Sequence, residues 1–215
     1  MDHYKILETV KADILQAALA DIAFEGFTDA VVNKAAQSAG IEPTELALAF
    51  PRGGIDLAIY FVRHGVDQMQ AKLASLDIES MKIRERIKTA VQIRLEVDAD
   101  HKEIARRAFN MLALPGNTKD ASACLAHTVD VMWRSTGDKS TDFNFYTKRA
   151  TLAAVYSATR LFWLNDDSTD AQDSWAFLDR RIDNVMQIEK GKAKFRELQE
   201  KLGRPLETLA KFRYR

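Results

Sequence analysis

The chain has 215 residues, of which 47% are hydrophobic and 29% charged, a composition typical of soluble globular proteins. No apolar run approaches the roughly 18 to 20 residues that a membrane-spanning helix needs. The N-terminus begins with Asp2 and His3 rather than with a signal peptide, and a lone Cys124 fits a reducing compartment. We therefore expect a cytoplasmic protein, built as one compact domain or as a small head on a larger body.

The formal net charge is zero, but the charge is unevenly distributed along the chain. Residues 190–215 hold nine Lys or Arg against three Glu, so the rest of the chain is acidic. An acidic body is a poor ligand for the phosphates of nucleic acids.

Apolar residues recur with helical spacing and show no period-two strands, which predicts an all-α fold. The prolines, Pro43, Pro51, Pro115 and Pro205, fall between the periodic segments. In chain order, the predicted helices span 4–25, 29–39, 43–49, 54–75, 81–98, 101–113, 118–136, 143–165, 171–189 and 192–202.

Residues 1–53 form a helix-turn-helix head in this interpretation, followed by a helical body over 54–189 and a basic tail over 190–215. Thr28 is the expected N-cap of the second helix, Gly40 ends it, and Pro43 opens a short third helix. Gly53-Gly54 is interpreted as a hinge between head and body. The order Ala-x-x-Gly-Phe-Thr, Ala-Gly-Ile and then Phe50 resembles the head of TetR-type regulators, whose bodies commonly form a ligand cavity and a dimer interface. That resemblance implies a TetR-like fold and a homodimer.

The charges of this head oppose DNA binding, although a TetR-type regulator with an apolar effector pocket is the alternative function. A recognition helix places Arg, Lys, Asn or Gln on base edges and surrounds them with cations. Between Thr28 and Gly53, only Lys34 and Arg52 oppose three acidic residues. We therefore expect no nucleic-acid partner.

No catalytic or metal-binding motif stands out in the sequence. The chain has no Gly-rich phosphate loop and no nucleophile elbow, and none of its four histidines follows a Glu at the Glu-x-x-His spacing of carboxylate di-iron sites. Cys124 and His127 have the spacing of metal ligands on a helix, but such a pair is more often a core thiol and a surface imidazole. We expect no enzyme activity, no metal and no cofactor beyond a bound lipid or isoprenoid.

The segment 130–149 combines large aromatic side chains with acidic and basic ones. Aromatic residues exposed in this way mark a surface that binds a partner, whereas an ordinary helix–loop–helix corner would turn them inward. The motif Asp-Val-Met-Trp, followed by Gly-Asp-Lys-Ser-Thr-Asp-Phe-Asn-Phe-Tyr-Thr-Lys-Arg, resembles the coenzyme Q protein nine family of ubiquinone-biosynthesis accessory proteins. The resemblance extends from about Arg84 to Ile188.

That resemblance implies a lipid-binding accessory protein that presents a polyprenylated quinone precursor to a partner enzyme at the inner face of a membrane. Sequence spacing does not distinguish a filled core from a lipid cavity, so both interpretations stay open for the apolar helix faces. We expect the ligand between helices 101–113 and 171–189. The candidate lipid-binding residues are Phe109, Met111, Leu112, Leu114, Leu125, Val129, Leu152, Val155, Tyr156, Phe162, Trp175 and Phe177.

The family resemblance also implies a partner, the di-iron hydroxylase that acts on demethoxyubiquinone. Phe145 departs from the family pattern, in which Trp is common, and this puts any hydrogen bond from that position in doubt. Asp142 equally fits a helix cap. The candidate partner-binding residues are Asp130, Met132, Trp133, Asp142, Phe145, Tyr146 and Arg149.

The tail, residues 190–215, has the pattern of an amphipathic helix that lies on an anionic membrane surface. A solvated basic tail, or one packed on the acidic body, is the alternative. The candidate membrane-binding residues are Phe195, Leu198 and Leu202 on the apolar face, with Lys192, Lys194, Arg196 and Lys201 around it.

Overall fold

A computed structural model describes residues 3–137 and 143–187, together with the single residues 191, 194 and 197. Over these residues the chain forms α-helices and short 3-10 turns and no strand. The helices are α1 His3–Glu25, α2 Asp29–Ser38, α3 Pro43–Ala49, α4 Gly54–Ala74, α5 Ile83–Glu96, α6 Lys102–Leu112, α7 Thr118–Ser135, α8 Phe143–Leu164 and α9, residues 172–187. The expected all-α fold is confirmed, and the helix ends that the structure describes lie within about two residues of the expected ones, as is usual for frayed ends. The expected helix 192–202 lies largely outside the described residues.

The head consists of α1, α2 and α3, which pack on one another. Thr28 caps α2, because its hydroxyl accepts a hydrogen bond from the Val31 amide at 3.2 Å. Gly40 ends the α2 segment with a φ of 68°, and Pro43 opens α3. All three expected helix boundaries are therefore confirmed.

The junction between head and body is closely packed, so the hinge interpretation of Gly53-Gly54 is wrong. The Gly54 amide donates to the Asp29 carboxylate at 2.9 Å. A Cβ on Gly54 would lie 1.9 Å from the Phe27 carbonyl oxygen, and one on Gly53 would lie 2.0 Å from Asp29 Oδ1. Gly54 permits a close approach of two backbone segments, and Gly53 leaves room for the Asp29 carboxylate.

The body packs α5, α6 and α7 around α4, with α8 against α7. Its core includes Leu57, Val66 and Met69 of α4, together with Leu95 of α5 and Leu178 of α9. α1 also contacts α4 and α6, so the head packs directly on the body. Within the described ranges, no helix has the length and apolar character needed to cross a bilayer.

Candidate ligand and partner site

A cavity of about 290 Å³ opens between α5, α8 and α9, and we call it the apolar cavity. Most of its lining side chains are aliphatic or aromatic, and the polar ones are Arg84, Thr147, Lys148 and Thr151. Cavities that bind small molecules have volumes of about 300–1,000 Å³, so this one is large enough for part of a lipid. The apolar lining residues are Ile83, Ile87, Trp133, Leu152, Val155, Ile182, Val185 and Met186.

Trp133 is the one tryptophan among the residues that line this cavity. Its side chain is 9% exposed, and its Nε1 is buried without a hydrogen-bond partner. The Lys148 ammonium lies 5.5 Å from the centre of the Trp133 ring. A buried N–H without a partner is costly, so an oxygen acceptor on a bound ligand would stabilise this position.

A second cavity of about 140 Å³, the inner cavity, lies between α4, α6, α7 and α8. It shares no lining residue with the apolar cavity. The twelve candidate lipid-binding residues are therefore not brought together in one site. Leu152 and Val155 line the apolar cavity, whereas Phe109, Leu112, Leu125 and Tyr156 line the inner cavity.

The other six candidates line neither cavity. Val129 is part of the buried core, Met111 is half-buried, and Leu114 is exposed. Phe162 is exposed and stacks on Phe177, with ring centres 4.6 Å apart. Trp175 is half-buried, and its Nε1 donates to the Asp170 carbonyl at 2.9 Å.

Charged and aromatic side chains meet where the end of α7 faces the start of α8. The Asp130 carboxylate accepts from Arg149 Nε at 2.8 Å and pairs with Arg134 Nε at 2.8 Å. The Arg149 guanidinium lies 3.5 Å from the centre of the Phe145 ring, and Phe145 meets Tyr146 edge to face. We call these five residues the acidic-aromatic patch.

The exposure of neighbouring residues differs sharply within segment 130–149. Tyr146 is 71% exposed, whereas Met132 is fully buried. Met132 therefore contributes to the core beneath the patch and presents no area to a partner. Asp142 lies outside the described residues, so the structure does not decide whether it caps a helix or contacts a partner.

Of the candidate membrane-binding residues, the structure describes only Lys194, which is helical and exposed. Phe195, Leu198, Leu202, Lys192, Arg196 and Lys201 lie outside the described residues. The last described turns of α9 carry Ile182, Val185 and Met186, which line the apolar cavity. The basic residues 190–215 follow these cavity-lining residues in the sequence.

Cys124 and His127 differ in burial on α7, since Cys124 is buried and His127 is exposed. The expectation of a core thiol and a surface imidazole is confirmed. Burial raises the pKa of the Cys124 thiol, so the group is neutral at physiological pH. In the part of the chain that the structure describes, no cluster of three His, Cys, Asp or Glu side chains is arranged to hold a metal ion.

Known proteins resemble this chain over most of its length. A family model described as COQ9 matches residues 118–189. The mitochondrial ubiquinone biosynthesis protein COQ9 of Rattus norvegicus is 34% identical over 194 residues, covering 87% of this chain and 62% of that protein. The corresponding protein of Homo sapiens is 34% identical, and the match covers 87% of this chain and 61% of the human protein. A probable ubiquinone biosynthesis protein coq9 of Dictyostelium discoideum is 30% identical, and the match covers 93% of this chain and 66% of that protein. The chain belongs to the COQ9 family.

This COQ9-family chain spans less than two thirds of the length of these relatives. The matched segment 118–189 contains α7, α8 and α9, which supply the whole acidic-aromatic patch and three of the four helices that line the apolar cavity. The family model therefore matches the part of the chain that holds most of the candidate site.

The fold of the COQ9-family chain is that of TetR regulators, as expected from its head. The crystal structure of the TetR transcriptional regulator from Nitrosomonas europaea superposes with a TM-score of 0.66 over 82% of this chain and 98% of the regulator. The sequence identity is 18%, which shows a shared fold and carries no functional conclusion.

Sequence reasoning missed most of the residues that line the apolar cavity. Ile83 and Ile87 of α5 are four residues apart, and Ile182, Val185 and Met186 of α9 have the spacing of one helix face. This spacing indicates one apolar face on α5 and one on α9. That the two faces line the same cavity follows only from the three-dimensional packing of the helices.

Proposed function

We propose that this chain is a non-catalytic, lipid-binding accessory protein of ubiquinone biosynthesis, which presents a polyprenylated quinone precursor to a partner hydroxylase. One observation carries the proposal: the apolar cavity and the acidic-aromatic patch lie side by side. Thr147 and Lys148 line the cavity, and they directly follow the exposed Tyr146 of the patch. A ligand in the cavity would therefore lie next to a protein bound at the patch.

The lining of the apolar cavity fits a lipid with an oxygen-bearing head. Aliphatic walls stabilise a hydrocarbon chain by about 0.8 kcal/mol for each buried methylene. The buried Trp133 N–H would donate a hydrogen bond to a quinone or ester oxygen, and the positively charged Lys148 also lines the cavity. The names of the relatives connect them to ubiquinone biosynthesis, and a polyprenylated quinone precursor combines these two chemical features.

The acidic-aromatic patch fits a protein partner, for which we propose a quinone-biosynthesis hydroxylase of the di-iron type. Tyr146 offers an exposed ring, and the Arg134 side chain of the same patch is also 71% exposed. Tyr and Arg commonly provide the strongest contacts at the centre of protein interfaces. Arg149 stacks on Phe145 while it binds Asp130, which fixes the base of this surface.

We further propose that residues 190–215 attach the protein to the inner face of a membrane, and that the chain acts as a homodimer. The tail is basic, and α9 leads to it from the edge of the apolar cavity. Attraction of basic residues to anionic lipid contributes about 1 kcal/mol for each cation near the surface, which allows reversible attachment. Lipid would then reach the cavity without crossing water.

The proposal is tested by extracting retained lipid from protein purified without detergent and identifying it by mass spectrometry. The wild-type chain is expected to retain an isoprenoid or phospholipid, and Val155→Trp is expected to lose it because the indole fills the apolar cavity. Leu125→Trp, which changes only the inner cavity, is the matched control and is expected to keep the lipid. Circular dichroism checks that each variant is folded. Wild-type protein free of lipid would contradict the proposal, and so would a folded Val155→Trp variant that retains as much lipid as the wild type.

A further inference from the structure

Arg160 on α8 is a buried cation without a carboxylate partner. It is 9% exposed, and its one hydrogen bond among the described residues is a long one of 3.5 Å from Nη2 to the Ala105 carbonyl. Its guanidinium carbon lies 5.5 Å from the centre of the Phe109 ring, which offers a weak attraction. No described carboxylate lies within 4.0 Å of its nitrogens. Buried charges normally have such a partner, because an unpaired one is costly.

Arg160 lines the inner cavity together with a second polar group that has no partner. Tyr156, one helical turn earlier on α8, is 2% exposed, and its hydroxyl is buried without a hydrogen bond. Ser157 also lines the cavity, as does Thr128, whose hydroxyl donates to the Cys124 carbonyl at 2.8 Å. None of the residues that line this cavity is acidic. Among the described residues, no acidic side chain at this cavity balances the charge of Arg160.

The remaining walls of the inner cavity are apolar, with Val62, Phe109, Leu112 and Leu125 among them. The volume of about 140 Å³ is close to that of apolar protein cavities, about 150 Å³, that bind one benzene molecule. A compact ring would fill the apolar part, and a negatively charged substituent would meet Arg160. A carboxylate matches the planar guanidinium with two parallel hydrogen bonds.

We propose that the inner cavity is a binding site for a small aromatic carboxylate, of the size and charge of benzoate. Arg160 binds the carboxylate, Tyr156 donates a hydrogen bond to it, and Phe109 and Leu125 pack on the ring. This site is independent of the lipid site proposed above, because the two cavities share no residue. Its failure would leave the lipid proposal unchanged.

The wild-type chain is tested first, by calorimetric titration with benzoate and with benzyl alcohol, a neutral compound of similar shape. Saturable one-to-one binding of benzoate is expected, at least about ten-fold tighter than that of benzyl alcohol, because the charge-assisted hydrogen bonds are lost with the neutral compound. No saturable benzoate binding at millimolar concentration, or equal affinity for the two compounds, would overturn the proposal.

Variants then assign the site. Arg160→Met is expected to weaken benzoate binding at least about ten-fold and to leave benzyl alcohol binding within about two-fold. Arg84→Gln, at an arginine of the apolar cavity, is the matched control and is expected to bind benzoate like the wild type. If Arg160→Met does not fold, the nearly isosteric Tyr156→Phe replaces it and is expected to weaken benzoate binding several-fold. Wild-type benzoate affinity in a folded Arg160→Met or Tyr156→Phe variant would contradict the assignment.

Discussion

Asp166 fixes the turn between α8 and α9 through three hydrogen bonds. Its carboxylate accepts from the Ser168 and Ser174 amides at 2.8 Å each and from the Ser174 hydroxyl at 2.5 Å. Burial opposes ionisation, but the hydrogen bonds from Ser168 and Ser174 outweigh it and hold the pKa of the Asp166 carboxyl below its ordinary value of 3.8. The ionised side chain therefore stabilises the start of α9.

Replacing Asp166 with Ala is expected to lower the free energy of unfolding at neutral pH by about 1–3 kcal/mol. Because the folded-state pKa is depressed, this stabilisation is present above the ordinary value of 3.8 and is lost as the pH falls below it, through the folded-state pKa. The difference between Asp166→Ala and the wild type should therefore narrow in acid, as measured by urea unfolding at neutral and acidic pH. The control is Asp167→Ala at the exposed neighbouring residue, which should change the free energy of unfolding little. A pH-independent difference would contradict this role.

Tyr146 and Trp133 lie in the same segment but differ in burial, so their replacement should affect different properties. Tyr146→Ala is expected to weaken hydroxylase binding by about 2 kcal/mol or more while the melting temperature stays nearly unchanged. Trp133→Ala is expected to destabilise the fold by about 3–5 kcal/mol, because a buried ring is removed. Calorimetric titration with the hydroxylase and thermal melting measure the two effects. Unchanged hydroxylase affinity in folded Tyr146→Ala protein would show that the patch is misassigned.

At the scale of helices, a buried ion pair at the end of α5 packs against α4. Arg94 Nη1 donates to the Asp98 carboxylate at 2.7 Å, and Nη2 donates to the Val62 carbonyl at 3.2 Å. Burial alone would lower the pKa of Arg94, but the Asp98 carboxylate raises it above its ordinary value. Gly65 permits this arrangement, because a Cβ there would lie 2.9 Å from the Arg94 guanidinium.

Removing one member of this pair should cost far more than removing an exposed one. Asp98→Ala leaves the Arg94 charge buried and unpaired, so we expect a loss of about 3–5 kcal/mol in the free energy of unfolding. The exposed pair Arg84–Asp183 is the matched control, and Asp183→Ala should cost less than about 1 kcal/mol. Chemical unfolding of both variants gives the comparison. Equal losses for the two variants would contradict the importance of the buried pair.

The helices were predictable from local signals, whereas the cavities were not. Thr28, Gly40 and Pro43 act within one or two turns of the backbone, so their roles follow from sequence. Val155 and Tyr156 are adjacent in sequence and both apolar enough for a core, yet they line different cavities. Which cavity each of these α8 residues lines depends on how α5, α7 and α9 pack around α8. Those contacts join residues that are far apart in the sequence, so local patterns do not reveal them.

At the scale of the whole molecule, the cations of the head bind carboxylates of the chain itself. In a DNA-binding head, such cations would contact phosphates. The Arg52 guanidinium donates to the Asp120 carboxylate of α7 at 2.9 and 3.2 Å and also binds Asp56. Lys34 pairs with Asp21 at 2.9 Å. Both cations between Thr28 and Gly53 are thus engaged within the chain.

We therefore expect no sequence-specific binding to duplex DNA, despite the TetR-like fold. An electrophoretic mobility shift assay with fragments from the neighbouring genome should show no saturable complex at physiological salt. A sequence-selective complex tighter than the micromolar range typical of non-specific binding would favour a regulator instead.

Photo-crosslinking tests whether the apolar cavity holds lipid beside the partner surface. A diazirine-bearing isoprenoid quinone is bound, activated by light and located by peptide mass spectrometry. We expect the labels to concentrate in α5, α8 and α9, around Ile87, Leu152 and Met186, and we expect Val155→Trp to remove them. Labelling concentrated around Leu125 in the inner cavity, or scattered over the surface and unaffected by Val155→Trp, would contradict it.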